Sequence, residues 1–145
     1  MEYENQMELT FSAMSENESF ARSVIACFAL KLKPTVAQIS DIKTAVSEAV
    51  TNAIVHGYPN KNGDIVMKAG ISCGTLHINV IDNGVGIEDV NVAIEPFYTT
   101  KPDDERSGMG FTIMKSFMDD VKVISQKGVG TTVYMLKNIK SDEQK

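Results

Sequence analysis

The chain has 145 residues and a hydrophobic content of 43%, enough for one domain with its own core over residues 1–145 but not for two. Its 14 Lys and Arg against 19 Asp and Glu give a formal net charge of -5 without a basic run, so direct nucleic-acid binding is not expected. No stretch approaches the roughly 18 apolar residues of a membrane span and the acidic start does not resemble a signal peptide, so we expect a cytoplasmic protein without membrane contact.

The N-terminal segment predicts a strand followed by a helix. Residues 7–11 alternate between apolar and polar side chains, which is typical of a half-buried strand. Residues 15–18 have the Ser-Glu-Asn-Glu pattern of a capping box, so a helix is predicted over residues 16–32. The apolar stripe of this helix, which includes Phe20 and Cys27, should face the core.

A second helix is predicted from Thr35 to Gly57, where a glycine suits the left-handed turn that ends many helices. Its apolar stripe leaves Glu48 and Asn52, one turn apart, together on the opposite face. A glutamate is a candidate general base and an asparagine offers a neutral oxygen to Mg2+, so both could serve one phosphate and metal cluster. The alternative is an ordinary solvated helix face. His56 is interpreted separately, as a cation near the helix C-terminus.

The second half of the chain predicts two hairpins with a helix between them. The predicted elements are strands over residues 64–69, 75–82, 120–125 and 131–136, a helix over 111–118 and a frayed tail over 137–145. His77 should be a surface residue of its strand. Cys73 lies in the first hairpin turn, and together with Cys27 it forms neither a disulfide framework nor a metal-ligand spacing, which is typical of a reducing compartment.

Asp82 ends an otherwise apolar strand face. The alternation that turns residues 76–80 towards the core places Asp82 on the same side. Because an unpaired buried carboxylate is costly, Asp82 should accept a hydrogen bond from a donor such as the amino group of a purine. The alternative is a plain hairpin turn, but residues 85–89 do not resume the strand alternation. Gly84 and Gly86 indicate a backbone that approaches a ligand closely.

Residues 89–107 show neither the helical nor the strand periodicity of apolar residues. An irregular stretch of this length inside a small domain favours a lid over a ligand site. Gly108 and Gly110 come directly before the predicted helix. Amide groups at a helix N-terminus, together with the helix dipole, favour a phosphate at that place. The glycine patterns match neither a dinucleotide-binding fold nor a P-loop, so the nucleotide site must be of another type.

The order of these segments resembles the boxes of the gyrase, histidine-kinase and MutL ATPase superfamily, whose nucleotide-binding unit is the Bergerat fold. The segments that carry the resemblance are Glu48 with Asn52, residues 82–86, residues 108–111 and residues 128–132. The patterns over residues 15–22, 47–57, 97–102 and 106–112 narrow it to the anti-sigma F factors of endospore-forming bacteria. The likeness extends from about Met7 to Leu136.

This resemblance implies an α/β two-layer sandwich, with a mixed, mostly antiparallel sheet and helices on one face. It implies ATP and Mg2+ as ligands, with Asp82 on the adenine, Thr131 assisting through water, Asn52 on Mg2+ and Glu48 as the base. It also implies that Arg106 helps to position phosphate or partner. The further residues that it places around the nucleotide are Gly84, Gly86, Thr99, Thr100, Lys101, Ser107, Gly108, Met109, Gly110 and Phe111.

The resemblance also implies partners. It describes a homodimer that holds the sporulation sigma factor, sigma-F, inactive and that phosphorylates an anti-anti-sigma factor on serine. Arg22, which the helix pattern turns outwards, would lie on the surface shared by both partners. Two alternatives stay open: a serine kinase that serves another regulon, such as general stress, and a switch that binds partners in its ATP state without catalysis.

Overall fold

A computed structural model of the chain describes residues 2–87 and 110–139, in which one five-stranded sheet carries helices on one face. The strand order is β1-β2-β3-β5-β4, and all four pairings are antiparallel. The elements are β1 (Asn5–Ser12), α1 (Asn17–Ala29), α2 (Val36–Asn52), β2 (Asp64–Ser72), β3 (Thr75–Asp82), α3 (Gly110–Phe117), β4 (Asp120–Gln126) and β5 (Gly130–Asn138). The predicted two-layer α/β sandwich is confirmed, although the expected mixed sheet is antiparallel at every described pairing.

Helix α2 lies at the centre of the helical layer, where it packs against α1, α3 and β3. Thr35 caps its start: the Thr35 hydroxyl accepts a hydrogen bond from the Gln38 N–H at 3.1 Å, and the Gln38 side chain accepts one from the Thr35 N–H at 2.8 Å. Ile42, Val46 and Val50 are fully buried, each worth about 1.5–3 kcal/mol of transfer free energy. The polar side chains of α2 are therefore held on a fixed support.

Helix α1 departs from the sequence prediction at its start and along its apolar stripe. It begins at Asn17 without a side-chain cap, so the predicted capping box over residues 15–18 is wrong. The backbone carbonyl of Ser15 accepts the N–H of Glu18 instead. The buried line of α1 consists of Ala21, Ile25 and Ala29, while Phe20 is 48% exposed and Cys27 is exposed. The apolar stripe is wider than the face that α2 covers, because residues at i, i+4 and i+8 make the contact.

The two hairpins form as predicted, with one difference at the C-terminal end. The turn between β2 and β3 places Cys73 and Gly74 at φ 52 and 76, as a type I′ turn requires. Strand β5 continues to Asn138, past the predicted start of a frayed tail. Lys137 is anchored there, since its ammonium donates to an Asp41 carboxylate oxygen at 3.1 Å and to the Phe117 carbonyl. No helix in the described ranges is long and apolar enough to cross a membrane.

The sheet face opposite the helices buries His77, which the sequence predicted as a surface residue. The residue is 7% exposed, because Tyr3 and Tyr134 pack beside its ring and the Tyr134 hydroxyl is hydrogen-bonded to its Nδ1. Gly70 makes room for Tyr3, since a methyl group there would lie 2.5 Å from the Tyr3 ring. Burial lowers the pKa of His77. Burial therefore favours the neutral form of this histidine.

The lowered pKa of His77 predicts a pH dependence of stability. The unfolded chain binds a proton at His77 more readily than the folded chain, so the free energy of unfolding should fall as the pH drops through the usual histidine range near 6.5. Tyr3 and Tyr134 pack beside the His77 ring, and Glu8 and Lys68 line the same concavity. Urea denaturation at about pH 7.5 and about pH 5.5 should show a smaller decrease for His77→Gln than for the wild type. Equal decreases in both proteins would contradict the assignment.

Candidate functional site

The C-terminal end of α2 continues into a π-helical turn, Ala53–Gly57, which the sequence did not predict. Such turns are rare and are frequent at functional sites. Gly57 does not adopt the predicted left-handed conformation, because its φ is not positive. Its lack of a side chain has another cause: a methyl group on Gly57 would lie 2.9 Å from the Asp82 carboxylate. The turn therefore brings the end of α2 into direct contact with the end of β3.

Asp82 lies at the end of β3 on the face that is covered by the helices, as its position in the alternation predicted. It is 6% exposed, and its Oδ1 accepts the Gly84 N–H at 2.9 Å. Burial raises the pKa of Asp82, while hydrogen bonds from the backbone N–H groups of Gly84 and Thr131 act in the opposite direction. A carboxylate can accept about four hydrogen bonds, so capacity remains for a further donor.

The glycine-rich loop over residues 83–87 is held from the side of the π-turn. The Gly57 carbonyl accepts the Val85 N–H at 2.9 Å, and a methyl group on Gly84 would lie 1.9 Å from that same oxygen. The Tyr58 hydroxyl accepts the Asn83 N–H at 2.8 Å and donates to the Asp64 carbonyl at 2.8 Å. Only glycine fits at position 84 without displacing the turn.

The same loop is held from the other side by the turn between β4 and β5. Gly86 has a φ of 75, and a methyl group there would lie 2.1 Å from the Gln126 carbonyl oxygen. The Gly128 N–H donates to the Val85 carbonyl at 2.6 Å. Since β3 pairs with β2 and β5, the loop does not fold back as a neighbouring strand. The alternative of a plain hairpin turn after Asp82 is therefore wrong.

Ser125 connects this loop to Thr131. Its hydroxyl oxygen accepts the Ile87 N–H at 2.7 Å, lies 2.7 Å from the Thr131 hydroxyl and donates to the Gly130 carbonyl at 3.0 Å. Thr131 is buried directly opposite Asp82 in the β3 and β5 register. Sequence reasoning missed Ser125, although strand parity alone could have placed it on the inner face with Val121 and Val123.

Glu48 and Asn52 lie one turn apart on α2, as predicted. Glu48 is 9% exposed, which excludes the alternative of an ordinary solvated helix face. Asn52 faces the first residue of α3, since a methyl group on Gly110 would lie 2.7 Å from the Asn52 Nδ2. The described part of α3 starts at Gly110, so the helix includes one residue more than predicted at this end, and Phe111 is partly buried against the core. The structure thus places the Asn52 amide against the first described residue of α3, with Glu48 one turn earlier on α2.

Buried polar side chains concentrate in this region. Five are found in the described ranges: Ser47, Glu48, His77, Asp82 and Thr131. All except His77 lie on α2 or at the ends of β3 and β5 beside the glycine loop. Burying a polar group costs free energy unless a partner compensates, and such groups gather at functional sites. The arrangement therefore makes this end of α2 the candidate binding site.

The Asn52 amide oxygen is the kind of ligand that suits a Mg2+ site completed by water and phosphate. No group of three or more His, Cys, Asp or Glu side chains that could hold a metal occurs in the part of the chain described here. Mg2+ usually takes only one or two protein oxygens and completes its shell with water and phosphate. The Asn52 amide beside a helix N-terminus fits that use and does not fit a cage made of protein ligands.

Several predicted site residues fall elsewhere. The lid residues and the two residues before α3 lie outside the described residues: Thr99, Thr100, Lys101, Arg106, Ser107, Gly108 and Met109. Arg22 lies on α1, where its guanidinium is 3.4 Å from the Glu18 carboxylate. It lines one groove together with Glu48, so the structure brings the predicted partner residue and the predicted base to the same concavity.

Comparison with known proteins identifies the family to which the chain belongs. The profile of the histidine kinase-like ATPase domain matches residues 11–137. An anti-sigma F factor of Thermoanaerobacter sp. strain X514 is 57% identical over 143 residues, which cover 99% of this chain and 100% of the relative. The anti-sigma F factor of Clostridium acetobutylicum is 59% identical over 134 residues, 92% of this chain and 94% of the relative.

Solved structures agree with the fold. The RsbU and RsbW domains of a Mycobacterium tuberculosis protein match with a TM-score of 0.69 at 21% identity, covering 93% of this chain and 32% of that chain. The catalytic domain of the histidine kinase ThkA matches with a TM-score of 0.58 at 13% identity, covering 92% of this chain and 99% of that chain. At such identities the likeness concerns the fold alone.

The contact between Gly57 and Asp82 predicts a stability effect that depends on both residues. Gly57→Ala should lower the free energy of unfolding by about 1–3 kcal/mol, because the new methyl group overlaps the carboxylate. In an Asp82→Ala background the same substitution should cost far less, since the overlapping atoms are gone. Chemical denaturation of the four proteins of this cycle measures the coupling. The same cost in both backgrounds would disprove the contact.

Proposed function

The chain belongs to the family of anti-sigma F factors, which contain a histidine kinase-like ATPase domain, and on this premise we propose that it is an ATP-dependent serine kinase that also inhibits a sigma factor. The observation that carries the proposal is the arrangement around α2. Asn52 of α2 lies against Gly110, the first described residue of α3, and Glu48 is buried one turn before Asn52. The π-turn that follows α2 contacts Asp82. A nucleotide along this end of α2 would meet all three side chains.

The adenine would bind at Asp82. Its carboxylate would accept a hydrogen bond from the exocyclic amino group, with Thr131 contributing through a water molecule. Gly84 and Gly86 support this placement, because backbone without side chains lets a planar base approach closely. The fixed loop and the buried position of Asp82 would favour one orientation of the base.

The phosphates would lie at the other end of the site. The N-terminus of α3 favours negative charge, and we place the Gly108, Met109 and Gly110 amides and the lid residues Lys101 and Arg106 around it. Mg2+, when bound, would neutralise charge on the phosphate oxygens. Asn52 would hold that ion through its amide oxygen, a hard neutral ligand.

Glu48 would act as the general base towards a serine hydroxyl delivered by the partner. Its carboxylate would take the proton of the hydroxyl while the serine oxygen forms a bond to the terminal phosphorus and the bond between that phosphorus and ADP breaks. Burial next to the phosphate site supports this role, because a base must lie within hydrogen-bond reach of the proton that it abstracts.

The partners are also part of the proposal. The names of the relatives support a sigma factor, sigma-F, as the inhibited protein. An anti-anti-sigma factor as the kinase substrate and a homodimer as the working form are part of the proposal and follow from the resemblance of the sequence motifs alone. Arg22 would serve the surface that both partners use. Incubation with labelled ATP and purified anti-anti-sigma factor tests this: phosphoserine is expected, and its complete absence would leave only an ATP-dependent binding switch. Pull-down with purified sigma factors separates sporulation from another regulon, such as general stress.

Removal of the proposed base should separate catalysis from binding. Glu48→Gln should lower phosphoserine formation by about 10²- to 10⁴-fold while ATP affinity changes little, because the base acts only on the acceptor proton. Single-turnover kinetics and calorimetric titration with ATP measure the two quantities. If the variant kept full turnover, the assignment of Glu48 as the base would fail.

Removal of the proposed adenine ligand should have the opposite pattern. Asp82→Asn should weaken ATP binding, because the asparagine amide can present a hydrogen-bond donor where the adenine amino group also presents a donor. It should not lower the stability of the fold, since it removes a carboxylate whose pKa is raised by burial. Calorimetric titration and chemical denaturation test both statements, with the exposed Asp64→Asn as the matched control. Unchanged ATP affinity would count against the adenine placement.

A further inference from the structure

Tyr58 is the residue that follows the π-turn, and its side chain connects three parts of the fold. It is 8% exposed, and its ring packs against Gly63, where a methyl group would lie 2.3 Å from the ring. Its hydroxyl oxygen lies 2.8 Å from the Asp64 carbonyl oxygen and 2.8 Å from the Asn83 amide nitrogen. One buried side chain therefore joins the end of the π-turn to the start of β2 and to the end of β3.

The backbone groups fix the direction of both hydrogen bonds. A carbonyl oxygen can only accept and an amide N–H can only donate, so the Tyr58 hydroxyl donates to Asp64 and accepts from Asn83. The single hydrogen of the hydroxyl is thus committed to the Asp64 carbonyl. A phenylalanine ring at position 58 would fill the same space and would leave both backbone groups without this partner. The hydroxyl therefore has a role that can be separated from the packing of the ring.

The Asn83 N–H belongs to the peptide unit that joins Asp82 to Asn83. Because this peptide is trans, its carbonyl points away from its N–H. Gly130 lies on the carbonyl side, since a methyl group there would lie 2.1 Å from the Asp82 carbonyl oxygen. The peptide is therefore held by Tyr58 on one side and by the start of β5 on the other. The next N–H along the chain, that of Gly84, donates to the Asp82 Oδ1 at 2.9 Å, so the orientation of the carboxylate depends on the position of this peptide.

We propose that the Tyr58 hydroxyl is a positioning group for the adenine base. By holding the Asn83 N–H, it keeps the Asp82 carboxylate in the orientation that receives the amino group of the base. The inference rests on the nucleotide site proposed above. Tyr58 transfers no proton and acts on the base through Asp82, so its contribution belongs to the affinity for the nucleotide and not to the phosphoryl-transfer step.

Tyr58→Phe tests this inference, because it removes the hydroxyl and keeps the ring. The affinities for ATP and for ADP should fall by the same factor, about 2- to 13-fold, which is the effect of one hydrogen bond. The KM for ATP should rise accordingly, while kcat at saturating ATP stays at the wild-type level. Calorimetric titration with each nucleotide and steady-state kinetics measure these quantities.

Tyr134→Phe is the matched control, because it removes a tyrosine hydroxyl that is hydrogen-bonded to the His77 Nδ1 on the outer face of the same sheet. Both variants lose a hydrogen bond of the fold and should unfold at a lower urea concentration than the wild type. Only Tyr58→Phe should bind nucleotides more weakly. The control thus separates the position of the carboxylate from a general loss of stability.

Four outcomes would overturn the inference. Unchanged affinities for ATP and ADP in Tyr58→Phe would remove the positioning role while the nucleotide site stands. A lower kcat at saturating ATP with an unchanged KM would assign the hydroxyl to the transfer step instead. An equal loss of nucleotide affinity in Tyr134→Phe would reduce the effect to stability. A wild-type protein that binds neither ATP nor ADP would overturn the nucleotide site together with this inference.

Discussion

The contact between the π-turn at the end of α2 and the end of β3 is the constraint on which the site depends. Gly57 lies against the Asp82 carboxylate, and its carbonyl holds the glycine loop through the Val85 N–H at 2.9 Å. A side chain at position 57 or 84 would push the helical layer away from the sheet. Since Glu48 and Asn52 are on the same helix, this single contact also sets their position relative to Asp82.

The fold accepts an unfavourable arrangement of polar groups at this place. Asp82, Glu48, Ser47 and Thr131 are buried in a domain whose other buried side chains are almost all apolar. Burying such groups costs free energy unless partners compensate, and the hydrogen bonds of Asp82 and Thr131 meet part of that cost. Their concentration beside the glycine-rich loop makes this place the candidate binding site. The N-terminal capping box and the buried face of α2 supply the rigidity that a site of this kind needs.

The sequence predicted those features that depend on local periodicity. The five strands, the central helix, the inward position of Asp82 and the one-turn spacing of Glu48 and Asn52 all follow from alternation or helical repeat. Prediction from the sequence failed for those features that are determined by tertiary contacts. Gly57 looked like a helix stop, but its glycine is required by a side chain 25 positions later. The apolar stripe of α1 was too wide, because only the packing against α2 shows which residues are covered.

Other features had no local signal at all. The π-turn needs one extra residue in a helix whose composition is ordinary, and the burial of His77 results from Tyr3, which is far away in sequence. The burial of Ser47, a polar residue of α2, likewise depends on tertiary packing. By contrast, the resemblance to a family depended on the order of short boxes. Such an order reports a shared site even where the packing that builds it cannot be predicted.

In the proposed function, the end of α2 lies along a single bound adenine nucleotide. A crystal structure of the protein with Mg2+ and a non-hydrolysable ATP analogue tests it most directly. We predict the adenine amino group within hydrogen-bond distance of the Asp82 carboxylate, and the terminal phosphate beside Asn52 and the N-terminus of α3. A nucleotide bound on another surface, or bound here with its base away from Asp82, would contradict the account.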